Sequence, residues 1–148
     1  SAASDVYKRQ AMHIAVRTSL PDNPLFIDGN AEQLGKTIMS LLNNGMYAIA
    51  KKYGKKAYPA EIGLALESKD GQAVIRLYDN GVGIEQSILD KIFDPFFTTK
   101  TTGEAAGIGL YLSKEIILNH HGQIAVRSEK DELTEFTITL PLWEEKSV

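Results

Sequence analysis

The stretch of residues 77–110 decides the fold of this chain, and it contains three motifs in order. The first is Leu77-Tyr78-Asp79-Asn80-Gly81-Val82-Gly83-Ile84, in which an apolar run breaks into a Gly-x-Gly turn directly after a carboxylate. The second is Ile92-Phe93-Asp94-Pro95-Phe96-Phe97-Thr98-Thr99-Lys100. The third is Gly103-Glu104-Ala105-Ala106-Gly107-Ile108-Gly109-Leu110, which leads into an amphipathic helix.

Together these motifs have the chemistry of one nucleotide site. A carboxylate fixed at a strand end, such as Asp79, can accept a hydrogen bond from an exocyclic amine like that of adenine. Glycines let the backbone approach a flat base or a phosphate closely, because they lack a Cβ atom. The third motif lies where a helix begins, and the free N–H groups and positive dipole end there favour an anion. Their occurrence in order makes chance an unsatisfactory explanation.

Composition restricts the class of protein. The chain has 148 residues, 43% of them hydrophobic and 24% charged, which suits one globular domain with a sizeable core. A net charge of -3 argues against a nucleic-acid partner. No apolar run approaches the length of a membrane span, so no membrane contact by this domain is expected. The absence of cysteine excludes disulfides and thiolate metal sites and fits a cytoplasmic location. Residues 1–10 are predicted to be a disordered leader or cloning remnant, and residues 11–148 the domain.

Periodicity predicts a mixture of helices and strands around the motifs. Asn30 is a good helix N-cap with Gln33 as its capping-box partner, and Gly122 is a good C′ residue for the helix that follows the third motif. A Lys69-Asp70-Gly71 turn predicts a hairpin. The predicted strands are 12–20, 25–27, 61–68, 73–78, 123–128 and 135–140. The predicted helices start at 31, 86 and 108; the first ends within the basic segment 51–56, the second at 93 and the third near 120. Residues 97–106, polar and rich in Gly and Thr, are predicted to form a mobile lid.

One polar face of the first helix is a candidate metal site. Ser40, Asn44, Tyr47 and Lys51 recur at helical spacing beside the apolar stripe. The amide oxygen of Asn44 could bind a hydrated Mg²⁺, a cation that prefers oxygen ligands and keeps several waters. The alternative is a solvated asparagine on a helix flank. The histidines are less informative: His13 fits a strand, and the adjacent His120 and His121 fit a helix C-terminus better than a metal pair.

The order of an asparagine-bearing helix, Asp-Asn-Gly-Val-Gly-Ile, Phe-Asp-Pro-Phe-Phe-Thr-Thr-Lys and Gly-Ile-Gly-Leu resembles a known family. It is similar to the ATP-binding catalytic domain of sensor histidine kinases, in the superfamily shared with gyrase, a heat-shock chaperone and mismatch-repair ATPases. The resemblance covers residues 12–142. It implies an α+β, two-layer sandwich of the Bergerat type, with a mixed, mostly antiparallel sheet and helices on one face.

The resemblance also implies roles for individual residues. Asn44 corresponds to the magnesium-binding asparagine, Asp79 to the adenine-reading aspartate, and Thr134 to a threonine that supports adenine. Lys51 and Lys100 are within expected reach of the phosphates and, with Asn44, are the catalytic candidates. The remaining implied nucleotide contacts are Gly81 and Gly83 under the base, Phe93 and Phe96 as an aromatic hinge of the lid, Gly107 and Gly109 at the phosphates, and Tyr47, Ala48, Ile84, Thr99, Ile108 and Leu110.

Departures from the family pattern refine the functional hypothesis. Relatives whose main task is ATP hydrolysis carry a glutamate base where this chain has Ser40, so phosphoryl transfer is favoured. Gly45 replaces the usual alanine, and Glu104-Ala105-Ala106 lengthens the lid motif. No histidine is followed by an acidic residue on a long helix. The implied function is therefore Mg-ATP-dependent phosphorylation of a histidine on a separate dimerisation domain, upstream of a response regulator. The alternatives are an anti-sigma-type serine kinase and a non-catalytic nucleotide-sensing module.

Overall fold

The computed structural model describes residues 13–53, 59–97 and 110–145, which form five strands and three helices. The strands are β1 (Ile14–Ser19), β2 (Ala60–Lys69), β3 (Gln72–Asp79), β4 (Gln123–Glu129) and β5 (Leu133–Pro141). The helices are α1 (Ala31–Tyr53), α2 (Gln86–Leu89) and α3 (Tyr111–Asn119). None of these helices is both long and apolar enough to span a bilayer. The predicted leader, residues 1–10, and the predicted lid beyond Phe97 lie outside the described residues.

The strands form one sheet in the order β1-β2-β3-β5-β4. The β1–β2 pair is parallel and the other three pairs are antiparallel, so the predicted mixed, mostly antiparallel sheet is confirmed. The predicted hairpin is also confirmed: Asp70 and Gly71, with φ of 52° and 76°, form a two-residue turn between the paired Lys69 and Gln72. Two consecutive positive φ angles give the turn twist that matches the twist of the strands.

All three helices cover the same face of the sheet. A continuous core lies between the two layers; its buried members are Leu41, Leu77, Ile84, Ile92, Leu110, Ile117, Phe136, Ile138 and Leu140. The opposite face is polar and carries cross-strand ion pairs, including Arg17–Glu61 and Arg76–Glu67, both at 2.8 Å. Exposed pairs of this kind contribute little to stability, but they keep that face solvated. The predicted two-layer α+β sandwich is therefore confirmed.

The α1 helix begins differently from the predicted capping box. Asn30 Oδ1 accepts a hydrogen bond from the Gln33 N–H at 3.0 Å, as expected for an N-cap. The Asn30 N–H, however, donates to His120 Nε2 at 3.0 Å and not to the Gln33 side chain. The His120 ring completes the link through Nδ1, which lies 2.7 Å from Ile116 O. The reciprocal half of the cap thus comes from the end of α3, so the imidazole joins the two long helices.

The end of α3 requires a second correction. The left-handed C′ residue is His121, with φ of 62°, and not the predicted Gly122. The His121 N–H donates to Leu118 O and the Gly122 N–H donates to Ile117 O, both at 3.0 Å, which is a Schellman motif. Gly122 is needed for another reason: a Cβ atom there would lie 2.3 Å from Thr139 O. Only glycine lets the helix end approach β5 this closely.

Three other predicted elements have different bounds. Residues 25–27 form no strand; Phe26 O accepts a hydrogen bond from the Trp143 N–H, and one such bond does not make a ladder. The helix predicted over 86–93 ends at Leu89 and continues in turns. The helix predicted from residue 108 begins at Tyr111, after Leu110 has donated a backbone hydrogen bond to Ile92 O. Leu110 is therefore held by the core.

The close approach at Gly122 predicts a selective loss of stability. Gly122→Ala should lower the free energy of unfolding by about 1–3 kcal/mol, because either the helix end or β5 must move. Gly35→Ala is the matched control: it lies in α1 with no atom within 4 Å of the new Cβ, and should raise stability by up to about 1 kcal/mol. Urea unfolding of both variants measures the difference. Equal effects of the two substitutions would contradict the packing of α3 on β5.

Candidate functional site

A cavity of about 480 Å³ lies between α1 and the ends of β3 and β5. Its volume is in the range of small-molecule pockets. Eight residues predicted from the sequence line it: Asn44, Tyr47, Ala48, Lys51, Asp79, Gly83, Ile84 and Thr134. The sheet contributes Asp79 and Thr134, which are paired across β3 and β5, and α1 contributes Asn44 and Lys51 from the facing layer. The fold thus brings together residues that are up to 90 positions apart in the sequence.

Four other predicted residues are described but do not line this cavity. Gly81 packs against α1, where a Cβ atom would lie 2.5 Å from the Ala48 carbonyl carbon. Leu110 is wholly buried in the core. Phe93 packs edge-on against Phe136, with ring centroids 6.5 Å apart, and Phe96 is fully exposed with φ of 66°. The remaining predicted contacts, Thr99, Lys100, Gly107, Ile108 and Gly109, lie outside the described residues.

The Asp79 carboxylate forms the buried polar floor of the cavity. It is the last residue of β3 and is only 6% exposed. Burial raises the pKa of this carboxyl from 3.8 to about 6, while the Gly81 N–H, donating to Oδ1 at 2.9 Å, and the Lys52 charge act in the opposite direction. A carboxylate buried in this way is costly unless a ligand supplies a further hydrogen bond.

Gly45 explains how α1 comes so near this carboxylate. A Cβ atom at Gly45 would lie 3.3 Å from Asp79 Oδ2, tighter than an ordinary contact. The departure from the alanine expected at this position therefore has a structural consequence. The glycine lowers the intrinsic helix propensity of α1 and in exchange leaves room beside the Asp79 oxygen.

The turn after β3 is fixed by the turn between β4 and β5. Gly83 has φ of 70°, and a Cβ atom there would lie 2.2 Å from Glu129 O. Lys52 Nζ donates to Asp131 O and to Asn80 O, so one lysine of α1 contacts both turns. The Asn80 side chain accepts from the Glu61 N–H at 2.8 Å and donates to Pro59 O at 2.7 Å. Hydrogen bonds from several segments therefore meet at this wall of the cavity.

A chain of hydroxyl groups lies behind the same wall. Ser128 Oγ accepts a hydrogen bond from the Ile84 N–H at 2.8 Å and donates to Leu133 O at 2.7 Å. It also lies 2.8 Å from Thr134 Oγ1. Both hydroxyl-bearing residues are buried, at 3% and 4% exposure. Ser128 thus contacts Thr134 directly behind the cavity wall.

Asn44 is the residue that fits a magnesium ion. Within the described residues its Nδ2 atom is buried without a hydrogen-bond partner; this amide N–H group needs an acceptor such as a water or a ligand oxygen, whereas a cation would bind the amide oxygen of the same side chain. The same part of the chain holds no cluster of three His, Asp or Glu side chains that could bind a metal. A single amide oxygen completed by waters and nucleotide phosphates is an ordinary environment for Mg²⁺. The residues present therefore fit this cation.

A sequence model of the histidine kinase-, DNA gyrase B- and HSP90-like ATPases matches residues 29–144. The chain belongs to this family. The predicted family is thus confirmed, and membership in this ATPase family implies that the domain binds ATP.

Relatives of known name include two bacterial kinases. Sporulation kinase D of Bacillus subtilis is 34% identical over 123 residues, which are 83% of this chain and 22% of that protein. The signal transduction histidine-protein kinase AtoS of Escherichia coli is 39% identical over 122 residues, which are 82% of this chain and 19% of that protein. The chain therefore spans about a fifth of the length of these relatives.

Solved structures of the family share the fold. The catalytic domain of histidine kinase ThkA, in a nucleotide-free form, has a TM-score of 0.72 and 22% identity, covering 94% of this chain and 84% of that one. The mycobacterial sensor histidine kinase MprB has a TM-score of 0.70 and 23% identity, covering 95% of this chain and 89% of that one. At these identities the likeness is evidence of fold alone.

The sequence prediction missed part of the cavity lining. Three missed residues are apolar, namely Val82, Ile88 and Phe136, and four are charged, namely Lys52, Glu85, Lys130 and Asp131. Phe136 could have been found, because strand alternation places it on the same face as Thr134. Glu85 and Lys130 form an ion pair at 2.6 Å between two loops that are 45 positions apart, and no local pattern predicts that contact.

The raised pKa of Asp79 predicts that the free energy of unfolding of the domain without ligand depends on pH. Its folded pKa of about 6 lies above the ordinary 3.8, so this group favours folding below about pH 4, and that contribution is lost as the pH rises through about 6. Asp79→Asn, which stays neutral, should therefore be more stable than the wild type near pH 8, by up to about 3 kcal/mol. The two chains should converge below about pH 4.

Urea unfolding at the two pH values tests this expectation. The matched control is Asp22→Asn, in an exposed turn, which should show no such pH-dependent gain. An Asp79→Asn variant that is less stable than the wild type near pH 8 would contradict the proposed cost of burying the carboxylate.

Proposed function

We propose that this domain binds Mg-ATP in the cavity and supplies the γ-phosphoryl group for transfer to a histidine of a separate helical domain. The observation that carries this proposal is the buried Asp79 carboxylate at the cavity floor, facing Asn44 on α1. A site with a buried carboxylate on the sheet and an amide with nearby lysines on the facing helix suits a ligand with an amine and a polyphosphate. ATP has both.

Each residue of the cavity has a distinct part in this proposal. Asp79 accepts a hydrogen bond from the 6-amino group of adenine, and Gly83 and Ile84 border the base. Asn44 holds the cation, whose bound charge would neutralise the phosphate oxygens. Lys51 adds positive charge from the same helix, about two turns farther on. The predicted contacts in the lid, above all Lys100, Gly107 and Gly109, belong to the same proposal.

Transfer is favoured over hydrolysis because of Ser40. This residue lies one helical turn before Asn44, where a hydrolytic enzyme needs a base to activate water. A serine hydroxyl does not serve as that base. An imidazole acceptor needs no such help, since its lone pair attacks the γ-phosphorus as the bond to the ADP oxygen breaks. Among the alternatives, an anti-sigma-type serine kinase is disfavoured by the same residue.

The partners follow from this activity. The acceptor would be a dimerising helical domain of a parent sensor kinase, and the phosphoryl group would pass on to a response regulator. The relatives are multidomain kinases of which this chain covers about a fifth, which supports a parent protein with further domains. Because ATP and response regulators are intracellular, we infer a cytoplasmic location for the domain.

Calorimetric titration with a non-hydrolysable ATP analogue, with and without magnesium, tests the binding part. Asp79→Asn should weaken binding by about 10- to 100-fold, because a hydrogen bond to a charged acceptor is lost. Asn44→Ala should abolish the effect of magnesium while leaving magnesium-free binding nearly unchanged. Asn43→Ala is the matched control, since this exposed neighbour on α1 does not line the cavity. Absence of binding to the wild-type chain would defeat the proposal.

Phosphoryl transfer is tested with labelled ATP and a histidine-bearing helical hairpin from a two-component kinase, supplied in trans. The label should appear on the hairpin and should be lost in acid, as a phosphorus–nitrogen bond is. Lys51→Gln should lower the rate by at least about tenfold through loss of charge near the phosphates. An acid-stable label on serine would favour the serine-kinase alternative. Tight binding of ATP without any transfer would favour the non-catalytic module.

A further inference from the structure

Only one arrangement of protons makes all three contacts of Ser128 hydrogen bonds. A serine hydroxyl has one proton to donate and two lone pairs to accept with. The Leu133 carbonyl, 2.7 Å from Ser128 Oγ, can only accept, so the serine proton lies on that bond. The Ile84 N–H can only donate, so it occupies one lone pair at 2.8 Å. One lone pair of Ser128 is left for its contact with Thr134.

Thr134 must therefore donate its own proton to Ser128. Their oxygens are 2.8 Å apart, an ordinary O–H···O distance, and the serine has no second proton to give. Because Thr134 donates its proton to Ser128, its Oγ1 atom can only accept a hydrogen bond from a ligand in the cavity. Thr134 lines the cavity and is directly paired with Asp79 across β3 and β5. Residues paired in this way have neighbouring side chains on the same face.

We propose that Ser128 is a positioning residue for recognition of the nucleobase. By holding the Thr134 proton, it makes Thr134 Oγ1 an obligatory acceptor beside the Asp79 carboxylate, and this acceptor-only wall selects a 6-amino purine over a 6-oxo purine. The proposal rests on the proposed function, because it assumes that the base of ATP lies against Asp79. It goes beyond it by assigning base selectivity to a residue that does not line the cavity.

The physical reason for selectivity is the fixed direction of the threonine hydroxyl. A free threonine hydroxyl rotates and can donate or accept as the ligand requires. A 6-amino group donates and is compatible with both wall acceptors, whereas a 6-oxo group places its lone pairs against them. A buried group that cannot reorient to satisfy the wrong ligand is the usual source of discrimination by polar groups. Without Ser128, the Thr134 proton would be free to turn toward an oxo group.

The test is the ratio of dissociation constants for ITP and ATP, measured by calorimetry with magnesium near pH 8, where Asp79 is ionised. The wild type should prefer ATP. Ser128→Ala should lower the ITP-to-ATP ratio by about five- to tenfold, and Ser128→Thr, which keeps the hydroxyl, should restore it. Ile124→Val, a helix-facing change on the same strand but away from Thr134, is the control for general loss of stability.

A double substitution shows whether Ser128 acts through Thr134. In a Thr134→Val background, Ser128→Ala should leave the ratio unchanged, because there is no hydroxyl to orient. If Ser128→Ala does not fold, Ser128→Cys, whose thiol is a weak donor and acceptor, replaces it with the same expectation of a lowered ratio. Folding of each variant is checked by its urea transition.

The outcomes separate this inference from the function on which it rests. Failure of the wild type to bind ATP would defeat the proposed function itself. Binding of ATP with a ratio that stays within about twofold in Ser128→Ala would overturn the role of Ser128. A change caused by Ser128→Ala in the Thr134→Val background would show that it acts by another route, and would also overturn the inference. A lowered ratio that is absent from the Thr134→Val background and restored by Ser128→Thr supports it.

Discussion

The burial of one carboxylate is the constraint on which the rest of this structure depends. Asp79 stands at the end of a central strand with 6% of its surface exposed, and its pKa rises to about 6 because the charged form is poorly solvated there. A hydrophobic residue at that point would give a more stable domain. The fold nevertheless has a carboxylate here, although its ionised form lowers the stability of the domain. Such a loss of stability is expected where a residue serves a binding site.

The surroundings of Asp79 are arranged so that backbone atoms come near it. Gly81 donates its N–H to the carboxylate and packs on α1, and Gly45 brings α1 itself within contact of Oδ2. Gly83 lets the turn between β4 and β5 lie directly on the turn after β3. These contacts reduce the freedom of the cavity wall before any ligand arrives. Less ordering is then left to be done on binding, which favours affinity.

Local chemistry made the fold and about half of the cavity lining predictable from the sequence. The Asp70-Gly71 turn, the stripe of α1 and the Gly-x-Gly after Asp79 are short-range patterns, and the structure has them where they were expected. The errors concern contacts between distant segments. The Asn30 N–H finds His120, 90 positions away, and residues 25–27 lack a strand partner to form a ladder. Likewise Ser128 carries no motif: one of its partners, Ile84, lies 44 positions away, and the pairing of β4 with β5 brings Leu133 and Thr134 to it.

The described residues of the site are suited to position a ligand and not to exchange protons with it. Ser40 and Asn44 lie on consecutive turns of α1, and neither side chain gains or loses a proton in the ordinary pH range. Thr134 has its proton committed to Ser128, and the Asp79 carboxylate is buried at the base end of the cavity. What these groups offer is fixed direction and fixed charge. Phosphoryl transfer to an imidazole requires mainly such fixed groups, because the imidazole nitrogen already has the lone pair with which it attacks. The transition state then needs only alignment of the reacting atoms and neutralisation of the phosphate charge. The reactive nitrogen can therefore belong to another domain.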